Sequence, residues 1–193
     1  MDLTAAINRR RTCRRYASEA LSLAELSYLL WCTQGVQVVT SRPVTLRPVP
    51  SAGARHAFET YLLINRVAGL KPGLCRFLPL EHELQEVSLT DGLAAQFAEA
   101  ALNQNIIRTA AVTFIWVAVV YRMYWRYGER GYRYLHLDAG HVCQNLYLAA
   151  EAVDCGVCAV GAFDDEPLNQ LMGLDGEEQF VIYMATVGKK ESN

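Results

Sequence analysis

Apolar positions along the chain follow two rhythms, and these predict its elements. In "LSLAELSYLLWCTQG" apolar residues recur three and four apart as far as Gly35, and Ser22 followed by Glu25 has capping-box spacing, so the segment predicts a helix. From Val36 to Arg55 that period dissolves into Pro, Ser, Thr and Arg, which predicts a long irregular connection over the surface. "FETYLLINRV" and "GLCRFLP", on either side of a "GLKPG" turn, predict adjacent strands, the first more buried than the second. The Ala-rich stretch from Thr90 to Asn105 returns to helical spacing, with room for a second short helix before Ala110. "AAVTFIWVAVVY", Ala110 to Tyr121, is β-branched and aromatic and predicts a buried strand. Leu135, Val142, Leu146, Ala149 and Val153 then form the stripe of the longest helix, which Gly156 stops. "VCAVGAF" reads as a short extended piece, "DDEPLNQLMGL" as an acid-capped helix and "QFVIYMATVG" as a final strand. Strands interspersed with helices, and at least one hairpin, predict an α+β fold with helices around a mixed sheet.

Composition narrows the class. With 193 residues, 52% hydrophobic and 20% charged, the chain predicts one packed domain, residues 1–193, and excludes a disordered one. A net charge of −2 excludes the domain-wide basic footprint of a nucleic-acid binder, so no nucleic-acid partner is expected. "MDLTAAINRRR" lacks the apolar stretch of a secretory signal, and the Ala110–Tyr121 run is too short to span a bilayer. No membrane partner is expected. Six cysteines then predict reduced thiols and a cytoplasmic location.

Charge matters locally. "INRRRTCRRY", residues 7–16, concentrates five arginines. Arg10, Thr12 and Arg14 alternate, so on an extended segment they share one side and converge on an anion; guanidiniums pair with phosphate, and a hydroxyl adds a donor. The alternative is that Arg9, Arg10 and Arg11 complement the carboxyl end of a short helix. "VPSAGARH" closes the long connection with Pro50, Ser51 and Gly53, residues suited either to close backbone approach to a ligand or to an ordinary turn. Aromatic residues and arginines interleave from Tyr124 to Tyr134, the pattern of an aromatic lid over a small planar ligand. Cys155 and Cys158 have CxxC spacing, yet no second ligand pair accompanies them, so no metal site is expected and buried thiols compete with a redox pair. His136 and His141 lie five apart on the long helix, a spacing that does not stack two imidazoles on one metal.

Five segments in chain order resemble the nitroreductase family: "RRTCRRY", "PSAGARHAFETYLL", "RYGERGYRYLHLDAGHVCQNLYLAAEAVDCG", "AVGAF" with a downstream "LMGL", and "VIYMATVG". Within it they are most similar to the SagB-type azoline dehydrogenases of streptolysin-S-type peptide biosynthesis. The resemblance implies a mainly antiparallel sheet flanked by helices, in an intertwined homodimer with noncovalent FMN at the subunit interface. It implies that Arg10, Thr12 and Arg14 grip the FMN phosphate and ribityl chain. Pro50, Ser51 and Gly53 would lie against the flavin, usually from the other subunit. Gln104, with Asn103 beside it, and the Val160–Gly161 backbone would meet the flavin ring. Lys189 and Lys190 would approach the phosphate. The implied activity is two-electron, ping-pong transfer from NAD(P)H or another reductant to a small planar acceptor such as a nitroaromatic or quinone. The alternatives are a peptide thiazoline or oxazoline dehydrogenase and a non-catalytic flavin-binding subunit. Where that branch carries a Lys-Tyr pair this chain has Arg126 and Tyr127, and arginine does not serve as a base.

Overall fold

Alternation along two central strands decides the architecture. In β3 (Phe58–Ile64) and β6 (Val112–Val119) nearly every residue is buried, which requires cover on both faces of the sheet. Leu62, Ile64, Phe114 and Trp116 join one apolar cluster, while Leu63, Ile115 and Val117 join a second cluster on the opposite face. The computed structural model, which describes residues 1–42 and 44–191, builds these strands into a six-stranded sheet. Pro43, inside the predicted irregular connection, lies outside the described residues. With β4 (Gly73–Leu78), β5 (Glu83–Ser88), β7 (Cys155–Val160) and β8 (Gln179–Lys189), the order is β5-β4-β3-β6-β8-β7. Every pairing is antiparallel; β3 and β6 run in register from Phe58 opposite Ala118 to Ile64 opposite Val112. The parallel component expected of a mixed sheet is confined, among the described residues, to the isolated bridges Thr12–Val157 and Leu21–Val67.

Helices cover both faces. The first cluster takes side chains from α2 (Leu23–Gln34) and α6 (Arg130–Ala152), the second from α3 (Leu93–Ala100), α4 (Asn105–Thr109) and α7 (Asp165–Met172). The capping box is present as read: Ser22 Oγ accepts from the Glu25 backbone N–H, and the Ser22 N–H donates to the Glu25 carboxylate. A short α1 (Leu3–Arg9), capped by Asp2, packs on α6.

Other elements depart from expectation for physical reasons. The Ala-rich stretch breaks between α3 and α4 because Leu102 and Asn103 take left-handed backbone angles, φ 56° and 58°. The apolar run leaves the sheet at Val119 and continues as α5 (Val120–Tyr127), so part of the "aromatic lid" is a helix. The longest helix starts at Arg130, upstream of its apolar stripe. β5 was not anticipated: it is a mostly exposed edge strand, "ELQEVS", without an alternating apolar signal. The irregular connection holds a two-residue hairpin, β1 (Val38–Val39) and β2 (Thr45–Leu46), and a 3-10 turn at Ala52–Ala54.

Candidate functional site

The arginine cluster divides between both of its readings. Arg11 Nη1 donates to the carbonyls of Asn8 and Arg10 at 2.9 and 2.8 Å, so it caps the carboxyl end of α1, and Arg9 Nε sits 4.0 Å from Glu151. The chain after α1 then runs extended along the edge of the sheet. Cys13 N–H donates to Val157 O at 2.8 Å, and Ala17 N–H to Lys189 O at 3.0 Å. Two glycines permit this close approach: a Cβ on Gly156 would lie 2.5 Å from Cys13 Cβ, and one on Gly188 would lie 2.7 Å from the Tyr16 ring. Tyr16 locks the segment by hydrogen bonding to Cys13 O and Thr186 Oγ1.

That path brings the alternating residues to β7 and α6. Arg10 stacks over the Tyr147 ring at 5.3 Å, and Thr12 Oγ1 lies 3.3 Å from the Tyr147 hydroxyl, which also accepts the Ala159 N–H at 2.9 Å. Arg14 lies beside Cys158: burial pushes that thiol up, and the nearby guanidinium pulls in the opposite sense. Among the described residues neither Arg10 nor Arg14 pairs with a carboxylate. Two guanidiniums and an exposed hydroxyl without an anionic partner are a donor set suited to phosphate, so these residues fit the tail of FMN. Where β7 ends, Val160 is buried and Gly161 exposed; Gln104 Nε2 donates to Ala162 O at 2.7 Å, tying the start of α4 to this turn. Asn103 is exposed beside it.

The Pro50–Gly53 turn sits elsewhere. Ser51 Oγ donates to Asp138 Oδ2 at 2.6 Å, the Ala52 N–H donates to the same carboxylate, and the His56 N–H donates back to Ser51 Oγ. Burial raises the Asp138 carboxyl above its ordinary value, while these donors act to lower it. Gly53 takes φ 58°, and a Cβ there would collide with the Tyr127 hydroxyl and approach Arg126. Arg126 stacks over the Tyr127 ring at 5.6 Å, and Tyr127 meets Tyr134 edge to face at 4.7 Å. The turn and the Arg126–Tyr127 pair therefore form one cluster.

Helix α6 separates the two clusters. Asp138 anchors one and Tyr147 the other; nine residues on an α-helix amount to two and a half turns, so the anchors face opposite ways, about 14 Å apart along the axis. Within one chain the Ser51 turn and the Arg10–Thr12–Arg14 set do not converge.

The carboxyl-terminal lysines have anionic partners. Lys189 Nζ pairs with Glu25, and Lys190 Nζ pairs with Glu151 at 2.8 Å, so both cations expected at the phosphate are engaged by carboxylates. Cys155 and Cys158 lie three apart on β7, which turns them to opposite faces with Cα atoms about 10 Å apart, too far to close a disulfide. The geometry therefore favours buried thiols over a redox pair. His136 Nδ1 lies 2.8 Å from Tyr132 O and His141 Nδ1 3.9 Å from Asp138, both on α6 itself. Asp138 and Tyr147, the anchors of the two clusters, were not singled out as functional in the sequence. The available signal was an acid and a tyrosine at buried positions of an apolar helix.

Comparison with known proteins places the fold in a family. Residues 7–189 match the family model described as the Nitroreductase family. A Methanocaldococcus jannaschii protein named as a nitroreductase, MJ1384, is 34% identical over 182 residues, 94% of this chain and 88% of its own. The trifolitoxin-processing protein TfxB of Rhizobium leguminosarum is 27% identical over 154 residues, 78% of this chain and 41% of its own. A nitroreductase-named crystal structure from Anabaena variabilis superposes with TM-score 0.82 at 30% identity, covering 98% of this chain and 38% of that one. The chain thus spans about two fifths of the TfxB and Anabaena proteins. The fold also recurs at 19% identity in the Escherichia coli microcin synthetase McbBCD complex with truncated pro-MccB17 bound (TM-score 0.77, all of this chain, 74% of that one). It recurs, again at 19% identity, in a Desulfovibrio desulfuricans structure in complex with FMN (TM-score 0.66, all of this chain, 91% of that one). With its antiparallel sheet, its flanking helices and a match spanning nearly every residue, the chain belongs to the nitroreductase family.

Proposed function

We propose that this protein is an FMN-dependent oxidoreductase, working as a homodimer that passes two electrons from NAD(P)H or another reductant to a small planar acceptor. The observation that carries the reading is the pair of guanidiniums, Arg10 and Arg14, held on the β7 edge beside the Thr12 hydroxyl with no carboxylate partner among the described residues. Flavin, when bound, supplies reversible two-electron chemistry, and the FMN complex of a fold relative supports that choice. Arg10 and Arg14 take the phosphate by paired hydrogen bonds, Thr12 adds a donor, and the Val160–Gly161 backbone with Gln104 borders the ring. Lys190 is held by Glu151 and Lys189 by Glu25, so the reading rests the phosphate on Arg10, Thr12 and Arg14.

The separation along α6 supports the homodimer. Because the Ser51 turn and the arginine set face opposite ways in one chain, a flavin touched by both needs the turn of a second copy. Gly53 then delivers Tyr127 and Arg126 to the substrate side, where Tyr127 donates or accepts a proton and Arg126 remains a fixed cation. A second reading, oxidation of peptide thiazolines or oxazolines, is favoured by the similarity to TfxB and to the microcin synthetase complex. The six unpaired thiols support a reducing, cytoplasmic setting; among the described residues no helix is long and apolar enough to cross a membrane.

The purified protein should be yellow and lose its flavin absorbance when NADPH or NADH is added without oxygen. Colour that neither nucleotide bleaches would identify a flavin-binding subunit, and protein that refuses added FMN would overturn the proposal. Loss of turnover of a thiazoline peptide in Tyr127→Phe, with colour retained, would favour the peptide reading over the small acceptor.

A further inference from the structure

A cleft of about 650 Å³ opens between the β1–β2 hairpin, the start of β3, the end of β4 and α5, away from the Arg10–Thr12–Arg14 set. Its size falls within the range of small-molecule sites. Five arginines line it, Arg42, Arg47, Arg55, Arg76 and Arg122, against two carboxylates, Glu59 and Glu81. Glu59 is already committed: one oxygen accepts Arg76 at 2.9 and 3.1 Å, and the other accepts Arg122. Glu81 is exposed.

Two guanidiniums stand out. Arg47 is half-buried and, among the described residues, donates only to neutral oxygens, Gln34 Oε1 at 2.7 Å and Thr45 Oγ1 at 3.4 Å. Burial and the neighbouring Arg122 bring it down to about 10, while the Glu59 carboxylate acts in the opposite sense. His56 in the same wall is brought to about 4 by burial and by Arg47 and Arg55, so it stays neutral near pH 7 and adds no charge. Among the described residues Arg55 bonds only its own turn, at Gly53 O, and it stacks over Trp125 at 5.2 Å. Phe58, Leu78, Tyr121 and Trp125 supply an apolar wall beside these cations.

We propose that this cleft binds an organic oxyanion, a carboxylate or phosphate carried on a flat apolar body, with Arg47 and Arg55 taking the anion and Trp125 the body. The site is distinct from the Arg10–Thr12–Arg14 set and does not depend on the flavin reading. Its Ala54–His56 wall continues the turn whose Gly53 touches Tyr127, so the ligand lies one turn from the substrate side proposed above.

The test is calorimetric titration of the full chain, with and without saturating FMN, using 2-naphthoate, 2-naphthyl phosphate and the neutral 2-naphthylmethanol. At least one anion should bind ten or more times more tightly than the alcohol in both states, and the tighter anion identifies the group recognised. Arg47→Gln and Arg55→Gln should each weaken that anion about tenfold without changing the alcohol, as expected for loss of a charge-assisted hydrogen bond. Arg55, which bonds only within its own turn, carries the test if Arg47→Gln fails to fold. Equal affinity for all three probes would overturn the proposal. So would affinity unchanged in the variants, or binding abolished by FMN or by Arg10→Gln.

Discussion

Gly53 does two jobs that no other residue type combines. Its left-handed φ of 58° costs a side chain about 1–2 kcal/mol, and its missing Cβ leaves room for the Tyr127 hydroxyl. Gly53→Ala should therefore lower stability by at least that amount in urea unfolding. Pairing it with Tyr127→Phe should recover the steric part only, so the double variant should be less destabilised than the single costs added together. At Tyr147, replacement by Phe removes the hydroxyl shared by Thr12 and the Ala159 N–H, a loss of about 1–2 kcal/mol. The same change should weaken FMN binding measured by fluorescence quenching, because Thr12 loses its positioning contact. At this scale the sequence was half legible. Alternation and the helix-end reading were both open for the cluster, but nothing in "RRRTCRRY" says that Arg11 turns back to cap α1 while Arg10 and Thr12 turn to Tyr147. Such a division depends on where the helix ends, which spacing alone does not settle.

Among the elements, α2 was the most legible because its start is chemically marked. Glu25 closes the capping box and also pairs with Lys189 on β8. Burial opposes its ionisation, yet the Lys189 hydrogen bond and the Ser22 N–H and hydroxyl hold it below the usual carboxylate value of 4.5. A depressed folded value means that this stabilisation is complete above about pH 4.5 and fades as pH falls through the folded value. Glu25→Gln keeps a capping side chain but loses the ion pair, so it should cost about 1 kcal/mol at pH 7 and converge with the parent as pH falls through the depressed folded value, followed by thermal melts across pH. The polar edge strand β5 and the strand-to-helix switch at Val120 were illegible for opposite reasons. β5 buries too little to show a period, whereas the run through Val120 and Tyr121 is so apolar that no period survives.

For the whole molecule, the architecture followed from strands and helices that each announce their buried face, and the five family segments supplied the order. What one chain's sequence hid was that its two candidate clusters point away from one another. Size-exclusion chromatography should find a dimer, and dilution below its dissociation constant should release flavin together with the partner. Arg10→Gln should lower flavin affinity about tenfold while leaving the dimer intact, the expected loss of one charge-assisted contact.

The half-revolution of α6 between Asp138 and Tyr147 fixes the azimuth of everything fastened to those two residues. Inserting one alanine between them would rotate one attachment against the other by about 100° and lengthen their spacing by about 1.5 Å. Such a chain would retain both sets of side chains, yet their phase would be wrong for any symmetric pairing of two copies around a shared ligand.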